Sequence, residues 1–351
     1  MNEIELHPKV WKGLQGRRAR LPHALLLVGQ KGLGKYALAR HFAASLLCES
    51  PQAEGRACGH CLACHWFAQG NHPDFRLLQP EALSDEAEAD EGREGKKKPS
   101  QQITIEQIRQ LDEFLNVGTH RGGLRVVLVY PTEAMNRNSA NSLLKTLEEP
   151  APDTLFLLVS NEPGRLLPTI RSRCQQVPVP VPAAGLAERW LHAAGVTDGA
   201  RWLALAGGAP LLAAELAASG QGAWLDQLCR RLAAGRDLDP LAVAGEFDKA
   251  IKDAKGRLQL KQIVEALQKW CIDLTLAANA LPVRYFLPQQ AAIAGLAAMI
   301  PDVRLIQAFR ALNGRRQEAE QPLNARLFLE SLFSEYRALF APRPLSSESR
   351  R

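Results

Sequence analysis

Residues 24–47 read ALLLVGQKGLGKYALARHFAASLL. Five apolar residues come first, then seven that include Gly29, Gly32, Gly34 and Lys35, then twelve with apolar positions at helical spacing. That succession predicts a buried strand, a tight loop and a helix. Gly29, Gly34 and Lys35 fit the spacing G-x-x-x-x-G-K, with Gly32 between them. In such a loop backbone N–H groups wrap a phosphate and the lysine neutralises its outer oxygens. Further along, ITIEQIRQLDEFLNV (103–117) has helical periodicity, RVVLVY (125–130) reads as a buried strand, NSANSLLKTLEE (138–149) as a helix closed by Pro150, and TLFLLVS (154–160) as another buried strand. Strands alternating with helices predict an α/β fold with a mainly parallel sheet covered on both faces.

The proline-interrupted stretch VPVPVP (177–182) can sustain neither a helix nor a central strand, and the first domain boundary is expected there. From 184 to about 217 two short helical patterns flank AGGAP (206–210), and beyond Gly220 every apolar pattern is helical. The expected organisation is a core over 1–180, a small helical subdomain over 181–219 and an all-α domain over 220–345. Residues 79–102 hold a run of acids followed by Lys96, Lys97 and Lys98, and read as a solvated, disordered insertion. At 351 residues, 46% hydrophobic and 23% charged, the chain has the composition of a globular protein of two or three domains. No apolar run reaches the ~20 residues that span a bilayer, and the N-terminal stretch lacks a secretory pattern, so a cytoplasmic protein without a membrane partner is expected. A net charge of +6 is compatible with work beside nucleic acid but does not by itself imply it.

The loop departs from a hydrolytic pattern at two places. The position after Lys35 ordinarily carries a Ser or Thr hydroxyl for Mg²⁺, and here it is Tyr36. The strand RVVLV runs into Tyr130-Pro131-Thr132, where an ATPase needs carboxylates for the metal and the attacking water; Glu133 lies too far along the next turn to replace them. No ATP hydrolysis by the chain alone is expected. The surviving loop reads either as a structural turn or as a site that holds ATP or ADP without cleaving it.

Four of the seven cysteines fall within residues 48–64. Cys58-x-x-Cys61-x-x-Cys64 with Cys48 upstream supplies the four thiolates of a closed, structural Zn²⁺ site, with Cys48 expected at the end of the helix that follows Lys35. His60 and His65 are alternative ligands. Arg173, in Arg171-Ser172-Arg173-Cys174, lies at the margin of the α/β region; it is either a solvated surface arginine or one that reaches a neighbour's γ-phosphate.

Together HALLLVGQKGLGK, CGHCLAC, GNHPDF, NSLLKTLEEP and TIRSRC, over residues 20–180, resemble the delta-prime family of bacterial DNA polymerase III clamp-loader subunits, within the AAA+ superfamily. PLNARLFLESLF, near 322–333, is similar to the last collar helix of such subunits. The resemblance implies an AAA+ core with an inserted zinc module, a helical lid and a helical collar. It implies a DNA-replication role in a pentamer with delta and gamma or tau subunits, which places the β sliding clamp on primed DNA. It marks Cys48, Cys58, Cys61 and Cys64 as zinc ligands and Arg173 as an arginine finger acting in trans on a gamma or tau ATPase site, with Ser172 and Cys174 packed behind it. Pro210, after Gly207 and Gly208, stands where an active relative carries a nucleotide-sensing arginine. An active gamma-type ATPase would need a hydroxyl at 36 and acids at 130–131. A zinc-dependent DNA-binding module would need bases around the cysteines, where residues 48–74 have only Arg56.

Overall fold

The computed structural model describes residues 2–84, 99–120, 123–220, 222–254, 258–319, 321 and 323–341. The chain divides into two compact units, Met1–Trp190 and Leu191–Arg351.

The first unit is built on five strands: β1 (Ala24–Val28), β2 (Phe75–Leu78), β3 (Arg125–Val129), β4 (Thr154–Ser160) and β5 (Gln175–Pro178). Their order is β2-β3-β4-β1-β5 and every pairing is parallel. β1, β3 and β4 are interior, which explains their unbroken apolar runs: a strand covered on both faces has no side to give to water. Alternate residues take the two faces. Leu26, Val127, Phe156 and Leu158 pack with Ile108 and Leu111 of α4 (Ile105–Asn116) and with Leu143 and Leu147 of α5 (Arg137–Glu148). Each such buried side chain contributes about 1.5–3 kcal/mol. Before these come α1 (Pro8–Gly16), α2 (Lys35–Leu47) and α3 (Leu62–Ala68); Trp11 of α1 meets Phe42 of α2 edge-on at 6.3 Å between ring centroids. A reciprocal cap between Thr104 and Gln107 starts α4, and Asn136 Oδ1, accepting the Ser139 N–H at 2.9 Å, starts α5. The last helix before β5 is α6 (Pro168–Arg173).

The α/β reading holds, with three corrections of detail. Both edge strands, β2 and β5, escape the sequence pattern: FRLL is short and half exposed, and QQVP is polar and ends in proline. An edge strand tolerates both, because one side of it makes no ladder bonds; the segment around VPVPVP therefore completes the sheet before the chain leaves it. The ends of the 79–102 insertion are folded: the Ala82 N–H donates to the Ser100 carbonyl at 3.0 Å, and the Ser100 N–H to Glu81 Oε2 at 3.1 Å. Its centre, 85–98, lies outside the described residues. Residues 184–217 form three helices instead of two, since a turn with Gly195 and Asp198 at positive φ separates Ala184–Ala193 from Gly199–Leu205.

No strand occurs among the described residues of the second unit. Its longest helix, Leu260–Ala278, carries Trp270, whose Nε1 donates to the Tyr336 hydroxyl at 3.0 Å, which donates onward to the Leu232 carbonyl at 2.8 Å. Asp273 on the same helix is fully buried and accepts N–H groups from Arg284 at 2.7 Å and Phe286 at 2.8 Å. Those backbone donors replace the water that a buried carboxylate gives up. Among the described residues no helix is long and apolar enough to cross a membrane.

Candidate functional site

The glycines of the loop are demanded by its own backbone. Gly32 and Gly34 have φ of 81° and 83°, in the left-handed region, and a Cβ on Gly29 would sit 2.6 Å from the Val179 carbonyl oxygen. Lys35, the first residue of α2, is only 3% exposed. Its ammonium donates to the Gln30 carbonyl at 2.6 Å and to Asn161 Oδ1 at 2.8 Å. Burial pulls the Lys35 pKa down to about 8, against the opposing charge of Glu133. The Asn161 N–H in turn donates to Glu133 Oε1 at 2.9 Å. Glu133, set aside in the sequence because of its distance from β3, is thus brought to the loop by the turn at Thr132–Ala134. It braces Asn161 there, which is a different position from the end of the strand.

His7 Nε2 lies 2.6 Å from the Leu33 carbonyl; that oxygen can only accept, so Nε2 carries the proton. The Tyr36 ring stacks on Tyr130, with centroids 4.6 Å apart and planes at 29°. Thr132 Oγ1 donates to the Val159 carbonyl at 3.0 Å. The Mg²⁺ of a bound nucleotide fits these groups poorly, because an aromatic stack stands where a small hydroxyl would be needed.

At the other end of α2 the four cysteines converge. Cys48 follows the last residue of the helix, and all four sulfurs lie within 4.8 Å of one another. Cys48 to Cys61 and Cys58 to Cys64 are each 3.9 Å, well beyond a disulfide bond, and all the cysteines are free thiols. Tetrahedral zinc with Zn–S near 2.3 Å would set its sulfurs ~3.8 Å apart, so the cluster fits one such ion. Backbone donors already point at the sulfurs: Cys58 N–H to Cys48 Sγ at 3.2 Å, Cys61 N–H to Cys58 Sγ at 3.3 Å, and Cys64 N–H to Cys61 Sγ at 3.4 Å. A hydrogen bond from the His60 backbone, ahead of burial acting the other way, lowers the Cys58 pKa to about 6, whereas burial pushes Cys64 up to about 12. A cation among the sulfurs would hold all four as thiolates. Neither histidine joins them. His60 Nδ1 contacts the Cys58 carbonyl at 3.0 Å, and His65 Nε2 faces the Gln69 amide in solvent.

Arg173 ends α6 just ahead of β5. Gln175 pairs with Leu25, at the start of β1, while the loop follows Val28 at its end. With ~3.3 Å per residue, Arg173 and the loop lie roughly five residues, or ~17 Å, apart along the strand direction. The side chain is 34% exposed; Nη2 pairs with Glu148 Oε1 at 2.5 Å and Nη1 donates to the Thr169 carbonyl at 3.1 Å. Cys174 is buried in the core beside it, and burial raises its thiol to about 11. Ser172 is not packed behind the arginine: it is exposed, and its hydroxyl turns back to the Thr169 carbonyl at 3.0 Å.

Asn161 and Glu148 were not singled out in the sequence. The signal for Asn161 is its place directly after β4, at the carboxyl edge of a parallel sheet, where ligands approach. Glu148 lies inside NSLLKTLEEP, but nothing local shows its partner, which is 25 residues away in sequence on another helix.

Residues 7–182 match the family model described as DNA polymerase III, delta subunit. A curated relative from Pseudomonas aeruginosa, DNA polymerase III subunit delta', is 48% identical over 217 residues, 61% of this chain and 60% of the relative. The protein of the same name from Escherichia coli is 37% identical over 169 residues, 48% of this chain and 46% of the relative. DNA polymerase III subunit tau from Salmonella typhimurium is 34% identical over 157 residues, 45% of this chain and 21% of the relative. The chain thus spans between about half and three-fifths of the length of the two delta' relatives it matches.

Proposed function

Since the chain belongs to the DNA polymerase III delta subunit family, we propose that it is a non-catalytic clamp-loader subunit of the delta-prime type, acting in DNA replication. It assembles with delta and gamma or tau subunits into a hetero-pentamer that places the β sliding clamp on primed DNA, and it works in the bacterial cytoplasm, at the nucleoid. Residues 1–180 serve as its AAA+ core, 181–219 as a lid and 220–345 as the collar through which it assembles. Within this complex Arg173 reaches the γ-phosphate on a neighbouring gamma or tau subunit and offsets charge that builds up as the phosphoryl group leaves.

One observation carries the reading. Arg173 stands at the opposite end of the β1–β5 pair from the chain's own loop. A guanidinium placed there is far from its own loop's ligand and, one-third exposed, is open to a phosphate that another molecule presents. The loop itself, Gly29, Gly32, Gly34 and Lys35, serves as a structural joint: its lysine is bound to Gln30 and Asn161, and ATP or ADP is not hydrolysed there. Cys48, Cys58, Cys61 and Cys64 hold one structural Zn²⁺ that ties the end of α2 to α3. When bound, the metal supplies a cross-link and no chemistry, because four protein sulfurs close its coordination.

The test is reconstitution with the tau-type ATPase partner, comparing ATP turnover and clamp loading for complexes verified to contain every subunit. Arg173→Ala is expected to abolish the contribution of the one site it serves, and Arg173→Lys to restore little of it, since lysine keeps the charge but loses the planar fork. Fully assembled Arg173→Ala complexes that load clamps and turn over ATP at the wild-type rate would overturn the reading.

A further inference from the structure

We propose that Glu148 is a positioning residue for Arg173, fixing the guanidinium so that a neighbour's phosphate meets it already aimed. The inference rests on the reading of Arg173 given above and deepens it. Glu148 is the last residue of α5 and Arg173 the last of α6. The 2.5 Å pair between Nη2 and Glu148 Oε1 joins the two helix ends, and the 3.1 Å bond from Nη1 to the Thr169 carbonyl adds a second anchor.

An arginine side chain is long and free to rotate, and holding it in one pose for a distant anion costs rotamer entropy. Two anchors on different nitrogens orient the plane of the fork before any partner arrives. A guanidinium has five N–H donors, and these two bonds leave three for an incoming phosphate. With 34% of the side chain exposed, the group is held without being sealed off. Glu148 closes α5, where the negative end of the helix dipole favours the same cation. A pair this exposed adds little to folding stability, so the consequence of its loss falls on Arg173 rather than on the fold.

The experiment uses the reconstituted complex with its ATPase partner. Glu148→Ala and Glu148→Gln are each made in the native chain and in Arg173→Ala, with thermal unfolding of every variant measured alongside. Glu148→Ala is expected to reproduce at least half of the turnover loss caused by Arg173→Ala, a two- to five-fold loss at the served site, or ~0.4–1 kcal/mol, within the usual weight of such pairs. Glu148→Gln, which keeps an acceptor without the charge, falls between Glu148→Ala and the native complex. In the Arg173→Ala background neither change lowers turnover further, and no unfolding temperature moves appreciably; a purely structural role would predict additive losses and lower unfolding temperatures. If Arg173→Ala costs turnover while Glu148→Ala and Glu148→Gln match or exceed the native complex, the positioning role is wrong and the reading of Arg173 stands. The positioning role also falls if the losses are additive. If Arg173→Ala itself costs nothing, the reading of Arg173 fails and takes this inference with it.

Discussion

The loop and the cysteine cluster sit at the two ends of one helix, α2, and differ in what their polar atoms face. At the amino end the Lys35 ammonium has two oxygens of its own chain at 2.6 and 2.8 Å. At the carboxyl end four sulfurs face one another within 4.8 Å. A phosphate arriving at the first meets an ammonium with two of its three N–H groups engaged, while a cation arriving at the second displaces only protons. Both motifs are legible in the sequence to a similar degree, yet the lysine spends two of its three N–H groups on its own chain while the four sulfurs stay grouped around one point. A glycine-lysine spacing records where the backbone goes; competence depends on whether the cation is free when the chain has folded.

The widest separation between the two ends should come from the metal. The purified chain is expected to hold one zinc, and Cys64→Ser to lose it with a cost of more than about 4 kcal/mol to the stability of the segment around α3, the scale of losing a metal from a folded site. Elemental analysis and thermal unfolding read both. A Cys64→Ser chain that keeps stoichiometric zinc and native stability would erase the contrast.

Next in size is Lys35→Met, which strips Gln30 and Asn161 of their donor and should cost about 1–3 kcal/mol. Its pH dependence has a definite sign. The folded-state pKa of about 8 lies below the ordinary 10.5, so between those values the unfolded chain binds more protons and stability from this group rises with pH. The slope is at most about 1.4 kcal/mol per pH unit. Denaturant unfolding across that span should show a rising contribution in the native chain that Lys35→Met removes; identical pH profiles would mean that the ammonium is not held as described.

Tyr36→Ser restores a hydroxyl at the metal-binding position of an active loop and breaks the stack on Tyr130. The expected cost is about 0.5–1.5 kcal/mol, with no ATP turnover gained, because Tyr130-Pro131 still supplies no carboxylate. Turnover appearing in this variant would show the loop to be one residue from activity. Smallest of all, His60→Ala and His65→Ala should keep the zinc and shift stability by no more than about 0.5 kcal/mol, as neither ring faces the sulfurs. Loss of metal from either would redraw the ligand set.

The interior strands, the loop glycines and the cysteine spacing were readable from residues alone, because each obeys a local rule: unbroken apolar runs for covered strands, positive φ for glycine, ligand number for a closed metal site. So was the amphipathic reading of α4 and α5. The edge strands β2 and β5 were not, since an edge is defined by which neighbour is missing, and Gln175-Gln176-Val177-Pro178 becomes a strand only against Leu25–Val28. Glu133 shows the same limit: its distance along the chain argued against a role, and the turn after β3 brought it to the Asn161 backbone. The engagement of Lys35 depends on Asn161, 126 residues away, and the ion pair of Arg173 on Glu148. Sequence by itself determined which residue types could do chemistry and where the backbone turns. Tertiary structure alone decided which groups of its own chain each charge meets, because pairing is settled by distances that the order of residues does not contain.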